Sequence, residues 1–316
     1  MALNISRAKD RTPPLRCILF GEVGMWKTST AAHVPRALWV DLHGSTATLA
    51  RQPDCAFDPL SSERPDNYPA FIDLLRDISR YRNEFDAVIV DGLDDIDRLY
   101  VRPEALRRAK AEALGDNYGK PYDHVVVLHA EVIAAFEALY HVGFNLIFTA
   151  HTQNVERVNA EGANYMVTDI DVTYQSGKVG KWDCPSMWRD WVDVCAYLTT
   201  EGRRVTAAKG DKIAKATGDL DQHVAYLRCE SWLEAKGRRL DTLASPLPIA
   251  SPEELWRAIS NGWADSFASL DTLRAQVHAL GAAKVPADKL EKFKASVDAE
   301  ATVAGLRKIM AHLQSK

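Results

Sequence analysis

Four short runs of consecutive apolar residues occur in the first 150 residues, and segments with helical spacing lie between them. The runs are LRCILF (15–20), ALWVD (37–41), FDAVIVD (85–91) and FNLIFTA (144–150). Strands that are buried on both faces read as continuous apolar runs, and strands that alternate with helices build parallel sheets. The pattern therefore predicts an α/β fold with a mainly parallel sheet and helices at about 69–83 and 122–142.

The second half of the chain has a different pattern. YMVTDIDVTY, WVDVCAYLTT and HVAYLRCE, all between residues 165 and 235, predict further strands that extend the sheet. Clustered prolines in 243–252 indicate a linker, and Ser251, Pro252 and Glu254 resemble a helix start with a capping box. We expect a core at 1–242, a linker at 243–252 and a small helical unit at 253–316, with one helix ending at Gly281 and another following Pro286.

The turn after the first strand, GEVGMWKT (21–28), nearly matches the phosphate-binding pattern G-x-x-x-x-G-K-[ST]. In such a turn, backbone N–H groups converge on phosphate oxygens, the lysine reaches the β- and γ-phosphates, and the hydroxyl holds Mg²⁺. The alternative is a chance turn with an exposed lysine. Trp26 occupies the place of the second glycine. The predicted nucleotide-binding residues are Gly21, Glu22, Val23, Gly24, Met25, Trp26, Lys27, Thr28 and Ser29.

Polar residues follow the other apolar runs, where an open α/β sheet places its ligand site. Asp91 closes the run FDAVIVD and is the predicted second metal ligand beside Thr28. His43, just after Asp41, and His151 follow two further runs. For each histidine alone, a structural hydrogen bond is the alternative, and the shared position at strand ends favours a catalytic role for His151.

Composition adds little to this interpretation. The formal net charge is -4, so any contact with nucleic acid has to depend on a local basic patch. The five cysteines have no metal-binding or disulfide spacing, and no run of eighteen apolar residues occurs. We expect an intracellular protein with no membrane partner.

Six segments in order carry a family resemblance over about residues 12–242. FGEVGMWKTS, LWVDLHGSTATLA, FDAVIVDGLDDI, YGKPYDH, LIFTAHT and LEAKGRR together resemble the RecA-like P-loop ATPases encoded by phages, including the Sak-type single-strand annealing group. The resemblance implies a RecA-like core, ATP with Mg²⁺, a homo-oligomeric ring or filament, and action on single-stranded DNA in phage recombination or replication. It also implies the cytoplasm of the bacterial host, and possible phage recombination or replication proteins as partners.

By the same resemblance, Asp91 is the acid of the metal site and His151 the sensor of the γ-phosphate. Lys236 and Arg238, in AKGR, correspond to fingers that reach the ATP site of a neighbouring subunit; the alternative is a solvated basic turn. The family usually has a glutamate at the place of His43. Neutral histidine can also accept a proton from water, so His43 is the candidate base.

Basic residues interleaved with tryptophans suit single-stranded DNA, because cations contact phosphates and rings stack on bases. The candidate DNA-binding residues are Arg157, Lys178, Lys181 and Trp182. Trp188 and Trp191 fit the core better than a DNA surface.

Two functions remain open. The first is a RecA-like ATP-binding protein that acts on single-stranded DNA with slow or conditional hydrolysis. The second, which Trp26 and His43 motivate, is a pseudo-ATPase that serves as an assembly or regulatory module. A helicase or packaging motor fits less well, because the sequence has no further helicase motif.

Overall fold

The fold is described from a computed structural model of the chain. The structure describes residues 12–58, 64–158, 161–175, 182–201, 204–206, 215–217, 222–267, 270–300 and 303–314. Lys178 and Lys181 lie outside these residues.

Strands and helices alternate through the first half of the chain. The strands are β1 (Arg16–Gly21), β2 (Ala37–Asp41), β3 (Asp54–Cys55), β4 (Ala87–Asp91), β5 (Asn145–Ala150), β6 (Thr152–Val158), β7 (Asn164–Ile170), β8 (Val194–Glu201), β9 (Arg204–Thr206), β10 (Lys215–Thr217), β11 (Gln222–Tyr226), β12 (Lys236–Gly237) and β13 (Leu247–Pro248). The helices are α1 (Lys27–Ala31), α2 (Tyr68–Ile78), α3 (Leu93–Asp95), α4 (Arg102–Ala109), α5 (Lys120–Val142), α6 (Cys184–Trp191), α7 (Pro252–Phe267), α8 (Leu270–Lys284), α9 (Ala287–Ala299) and α10 (Val303–Gln314). A π-helical turn, Ile96–Val101, joins α3 to α4.

The central sheet has nine strands in the order β13-β11-β8-β1-β5-β4-β2-β3, with β12 also paired to β8. The pairs among β1, β2, β3, β4, β5 and β8 are parallel, and those of β11, β12 and β13 are antiparallel. The predicted α/β class with a mainly parallel sheet is confirmed. Because β5 lies between β1 and β4, the loops that follow these three strands meet at one edge of the sheet.

Two helices cover the sheet with regularly spaced apolar residues. In α2, Tyr68, Phe71, Leu75 and Ile78 are buried, which is the spacing of one helical face. Asn67 caps this helix, because its side chain accepts a hydrogen bond from the N–H of Ala70 at 3.1 Å. In α5 the buried apolar side chains are Val125, Leu128, Val132, Phe136 and Leu139.

The segment Asn117–Val142, which contains α5, is long and apolar enough to cross a membrane by length and composition alone. A core helix passes the same test. The buried side chains of α5 belong to the same apolar cluster as the strands of the central sheet, so the helix contributes to the core of this domain.

The strand predictions for the second half are partly confirmed. WVDVCAYLTT overlaps β8 and HVAYLRCE overlaps β11, and both strands extend the central sheet. The prediction that YMVTDIDVTY extends it is wrong, because β7 pairs antiparallel with β6 in a separate two-stranded sheet. Period and composition identified a strand here, but they carry no information about its pairing partner.

The proline-rich segment 243–252 also differs from the expectation. Leu247–Pro248 forms β13, which pairs with β11 at the edge of the sheet. An edge position suits proline, since the missing N–H can face away from the neighbouring strand. The Ser251 hydroxyl accepts a hydrogen bond from the N–H of Glu254 at 3.2 Å and starts α7.

A second compact unit comprises Ile259–Lys316 with Met1–Pro13, and the first comprises Pro14–Ala258. The core of the second unit contains the apolar side chains of Leu273, Val277, Val297, Leu306, Met310 and Leu313. The predicted helix stop at Gly281 is wrong, since α8 continues to Lys284. A Cβ on Gly281 would lie 2.0 Å from Cε1 of Phe293, so this glycine permits close packing of α9.

Trp188 is the side chain of α6 on which core packing depends most. It is fully buried, and its Nε1–H donates to Nδ1 of His129 at 3.1 Å. We expect Trp188→Ala to lower the free energy of unfolding by about 3–5 kcal/mol, measured by denaturant titration, because it leaves a cavity and an unpaired buried nitrogen. Val127→Ala, on the exposed side of α5, is the control and should change it by about 0.5 kcal/mol or less. Equal effects of the two changes would contradict this assignment of the core.

Candidate functional site

The loops after β1, β2, β4 and β5 enclose a cleft of about 280 Å³. This volume is near the lower limit of about 300 Å³ for small-molecule sites, so it suits a phosphate group and a metal ion better than a whole nucleotide. Ten of the residues predicted from the sequence line the cleft: Val23, Gly24, Met25, Trp26, Lys27, Thr28, Ser29, His43, Asp91 and His151. Gly21 and Glu22 contribute backbone carbonyls to the same loop.

Asp91 is the centre of the site. Its Oδ2 accepts a hydrogen bond from the Thr28 hydroxyl at 3.0 Å and another from the Ser45 hydroxyl, while Oδ1 accepts one from Thr149. The side chain is 3% exposed. Carboxylate and hydroxyl oxygens are ligands that Mg²⁺ accepts, so Thr28 and Asp91 fit the metal site predicted for them.

Lys27 lies at the first position of α1 and is folded back onto its own loop. Its Nζ donates to the carbonyls of Gly21 and Glu22, each at 2.8 Å. Burial lowers the pKa of Lys27, although Asp91 and Asp94 oppose this shift. The ammonium group is therefore held at the cleft by two neutral acceptors, which a more strongly charged phosphate can replace.

Trp26 stands where the phosphate-binding pattern has its second glycine, and two features, its backbone conformation and the packing of its ring, let it fit there. The residue adopts φ 63° and ψ 16°, the left-handed conformation that a glycine would take without strain. Its indole stacks on the imidazole of His223, with 3.6 Å between the ring centroids. The loop thus keeps a glycine-like backbone, and the ring packs against β11 rather than filling the cleft.

Gly21 has a structural reason to be glycine. A Cβ there would lie 2.3 Å from the backbone oxygen of Leu198 in the neighbouring strand β8. Close approach of β8 therefore requires glycine at the end of β1, independently of any ligand.

His43 is held in the cleft by acidic residues. Its Nδ1 is 2.7 Å from Oδ2 of Asp95, and this adjacent carboxylate raises the pKa of His43. Asp41 stabilises the same loop, because its side chain accepts hydrogen bonds from the N–H groups of His43, Gly44 and Thr46. Asp41 is 1% exposed, so its role is to shape the loop that carries His43 and Ser45.

His151 is paired with the next acidic residue. Its Nδ1 is 2.9 Å from Oδ2 of Asp94, and its backbone N–H donates to Oδ1 at 3.2 Å. Burial opposes ionisation of Asp94, but the hydrogen bond and charge of His151, with Arg98, keep the pKa of Asp94 below its ordinary value. The imidazoles of His151 and His43 are 5.7 Å apart between ring centroids.

Sequence reasoning missed several residues of the site: Ser45, Asp94, Asp95, Thr149 and His223. Asp94 and Asp95 stand in the quoted motif GLDDI, directly after the predicted metal ligand, so a run of acidic residues at a strand end was an available signal. Ser45 and Thr149 lie next to the predicted strand ends. No local feature of the sequence indicates His223, because only the packing of β11 brings it to Trp26.

Lys236 and Arg238 lie away from the cleft of their own chain. β12 pairs with the first residues of β8, whereas the phosphate-binding loop follows the end of β1 that pairs with Leu198. Lys236 Nζ donates to the backbone oxygens of Arg189 and Asp190, and Arg238 pairs with Asp193 at 3.2 Å. Within one chain, both side chains therefore brace α6 and β8, and their role toward a neighbouring subunit stays a prediction.

The candidate DNA-binding residues do not share one environment. Arg157 is 15% exposed and pairs with the carboxylates of Asp169, at 2.8 Å, and Asp183. These ion pairs give Arg157 a structural role within the chain, and its contact with DNA stays a prediction. Trp182 donates from Nε1 to Asp123 at 2.8 Å and stacks on Tyr122. Trp188 lies in the core, as expected.

A loop with the phosphate-binding pattern, a buried carboxylate at the end of β4 and a parallel sheet that joins them are the features of a P-loop domain. Comparison with known families agrees: a family model described as AAA domain matches residues 13–239. The chain therefore belongs to the AAA domain family of P-loop proteins. A search of curated proteins found no match.

Among solved structures, a KaiC-like protein from the hyperthermophilic archaeon Pyrococcus horikoshii OT3 is similar at 10% sequence identity and a TM-score of 0.33. The similarity covers 71% of this chain and 83% of that chain. A TM-score of this size is too low to transfer a property from that protein to this chain.

Trp26→Gly should leave the fold intact. Glycine relieves a left-handed strain of about 1–2 kcal/mol, whereas the lost ring stack is worth about 0.5–1.5 kcal/mol, so the two effects nearly cancel. We expect the melting temperature to change by about 5 °C or less. Trp26→Phe, which keeps a ring and the strain, is the matched control. A large fall for the glycine variant alone would show that the indole holds the loop in place.

Proposed function

We propose that this protein is a phage-type, RecA-like ATP-binding protein that acts on single-stranded DNA in recombination or replication. Hydrolysis of ATP is slow or conditional, and the protein works as a homo-oligomer in the cytoplasm of the bacterial host. The observation that carries the ATP part is the convergence of Lys27, Thr28 and Asp91 on one cleft, with 3.0 Å between the Thr28 hydroxyl and the Asp91 carboxylate.

This chain has a candidate residue for each group that would contact a bound nucleotide and its metal ion. Lys27 and the backbone of residues 22–26 would hold phosphate oxygens, and Thr28 and Asp91 would hold Mg²⁺. A bound Mg²⁺ would neutralise phosphate charge, as it does in other P-loop proteins. His43, whose Nδ1 faces Asp95, would use its other nitrogen to orient or deprotonate water, and His151 would lie near the terminal phosphate.

A second function is supported by the same residues. His43 replaces the glutamate that is usual in this family and is engaged with Asp95. Trp26 stands in the place of the second glycine and stacks on His223. Both features suit a pseudo-ATPase that binds nucleotide without turnover and serves as an assembly or regulatory module.

Lys27→Ala tests the nucleotide site. Charge-assisted hydrogen bonds are worth about 1.5–3 kcal/mol, so we expect affinity for ATP with Mg²⁺ to fall by about 10- to 100-fold, measured by isothermal titration. Lys120→Ala, at the start of α5, is the control and should bind as the wild type does. Thr28→Val is a second variant for the case in which Lys27→Ala does not fold. Unchanged affinity in both site variants would overturn the proposal.

Release of inorganic phosphate then separates the two functions. Turnover that disappears in Lys27→Ala supports an ATPase. Tight binding without turnover, in the presence and absence of oligonucleotide, supports the assembly module.

Binding of single-stranded DNA is tested by fluorescence anisotropy with an oligothymidylate at several salt concentrations. Affinity should fall with salt, because binding releases cations from the phosphates. For a single strand, each phosphate contact adds about 0.7 to the slope of log K against log salt, so Lys178→Ala combined with Lys181→Ala should reduce it by about 1.4. Lys289→Ala in α9 is the control. Absence of binding at low salt, with and without ATP, would contradict the DNA part of the proposal.

A further inference from the structure

The nucleotide cleft contains a second group of possible metal ligands, made of nitrogen as well as oxygen. His43, Asp94 and His151 each place one ligand atom within 4.8 Å of the others. None of the three is a ligand in the Mg²⁺ site formed by Thr28 and Asp91. In the described chain, this is the group of histidine and carboxylate side chains that comes together closely enough to hold an ion.

Each imidazole lies beside a carboxylate, but the two carboxylates differ in role: Asp95 lies outside the group and orients His43, whereas Asp94 belongs to the group itself. The Nδ1 of His43 is 2.7 Å from Asp95, and the Nδ1 of His151 is 2.9 Å from Asp94. Metal-binding histidines in proteins almost always have one ring nitrogen held by a carboxylate, a carbonyl or water, which sets the ring orientation and makes the other nitrogen a better ligand. For His43 this leaves Nε2 as the nitrogen available to an ion.

The spacing is close to that of one coordination sphere. With bonds of about 2.1 Å, neighbouring ligand atoms of an octahedral ion are about 3 Å apart and opposite ones about 4.2 Å. The Nδ1 of His151 and Oδ2 of Asp94 are 2.9 Å apart, the separation of neighbouring ligands, so an ion bound by both would replace the proton of the hydrogen bond that joins them. From a separation of up to 4.8 Å, His43 has to move inward by less than about 1 Å for an octahedral ion and by about 1.4 Å for a tetrahedral one. Its side chain is 37% exposed, so the ring has room to do so.

We propose that His43, Asp94 and His151 bind a divalent first-row transition metal ion of the Co²⁺ or Zn²⁺ type, beside the Mg²⁺ site. Two imidazole nitrogens and one carboxylate oxygen suit such ions, whereas Mg²⁺ prefers oxygen ligands only. The carboxylates of Asp91 and Asp95 add negative charge around the site. The partly exposed rings of His43 and His151 give the ion a path from solvent through the cleft.

Metal binding by itself does not depend on the proposed function. The effect of this ion on a bound nucleotide does depend on the proposed function. The ion would lie where His43 and His151 face the terminal phosphate, and it would add a second positively charged ion beside Mg²⁺. The two proposals can therefore fail separately.

The test uses the full chain, stripped of metal, with Co²⁺ as the probe and no nucleotide present. We expect one Co²⁺ per chain, followed by its visible absorption and by isothermal titration. His43→Ala and His151→Ala should each weaken binding by at least about 10-fold, the lower end of the effect of losing even an indirect metal partner. A large excess of Mg²⁺ should not displace the ion from nitrogen ligands.

His141→Ala is the matched control. His141 is also paired with a carboxylate, since its Nε2 is 3.2 Å from Glu137, but it is 70% exposed on the surface of α5. This change should leave Co²⁺ binding intact. His43→Gln, which can still donate to Asp95, shows whether a loss in the alanine variant reflects the ligand or the fold, and thermal unfolding of each variant checks the same point.

Co²⁺ binding that persists in the variants of both His43 and His151, or that excess Mg²⁺ abolishes, would overturn the proposal. So would the absence of any binding to a folded wild type. Lys27→Ala should keep the Co²⁺ site while losing ATP. A wild type that binds Co²⁺ but not ATP would therefore count against the nucleotide proposal alone.

Discussion

The buried carboxylate of Asp91 connects the parts of the site. An ionised group with 3% exposure is stable only when hydrogen bonds replace its water. Asp91 receives hydroxyl hydrogen bonds from Thr28, Ser45 and Thr149, which belong to α1, the loop after β2 and strand β5. The hydrogen bonds that this one buried carboxylate needs thus hold three separate segments together at the edge of the sheet. The same oxygens are the ones that would hold Mg²⁺.

The acidic residues after β4 explain the histidine at position 43. Asp94 of α3 lines the cleft, and Oδ2 of its neighbour Asp95 is 2.7 Å from Nδ1 of His43. A glutamate at this position would add a negative charge beside them. Two like charges 4 Å apart repel by about 4 kcal/mol at an effective dielectric constant of 20. A histidine at position 43 and the acidic pair are therefore electrostatically compatible.

Trp26 shows how a motif can lose a residue and keep its conformation. The chain has a large side chain, that of Trp26, where the phosphate-binding pattern has glycine. The backbone nevertheless takes the left-handed conformation, and the indole packs on His223 at 3.6 Å between ring centroids. Stacking contributes energy of the same order as the strain. The tryptophan in place of glycine therefore costs the loop little, because stacking offsets the strain.

The sequence alone determined the α/β class, the strands β1, β2, β4 and β5, the loop of Lys27 and Thr28, and the position of Asp91. These features follow from local patterns: apolar runs, helical spacing, and polar residues where runs end. Tertiary structure decided the rest. The local sequence does not show that Arg157 pairs with Asp169 and Asp183. Nor does it show that β7 pairs with β6 or that β11 brings His223 to Trp26. Partners that are distant in the chain leave no trace in local composition or period, because only the folded backbone brings their side chains within contact distance.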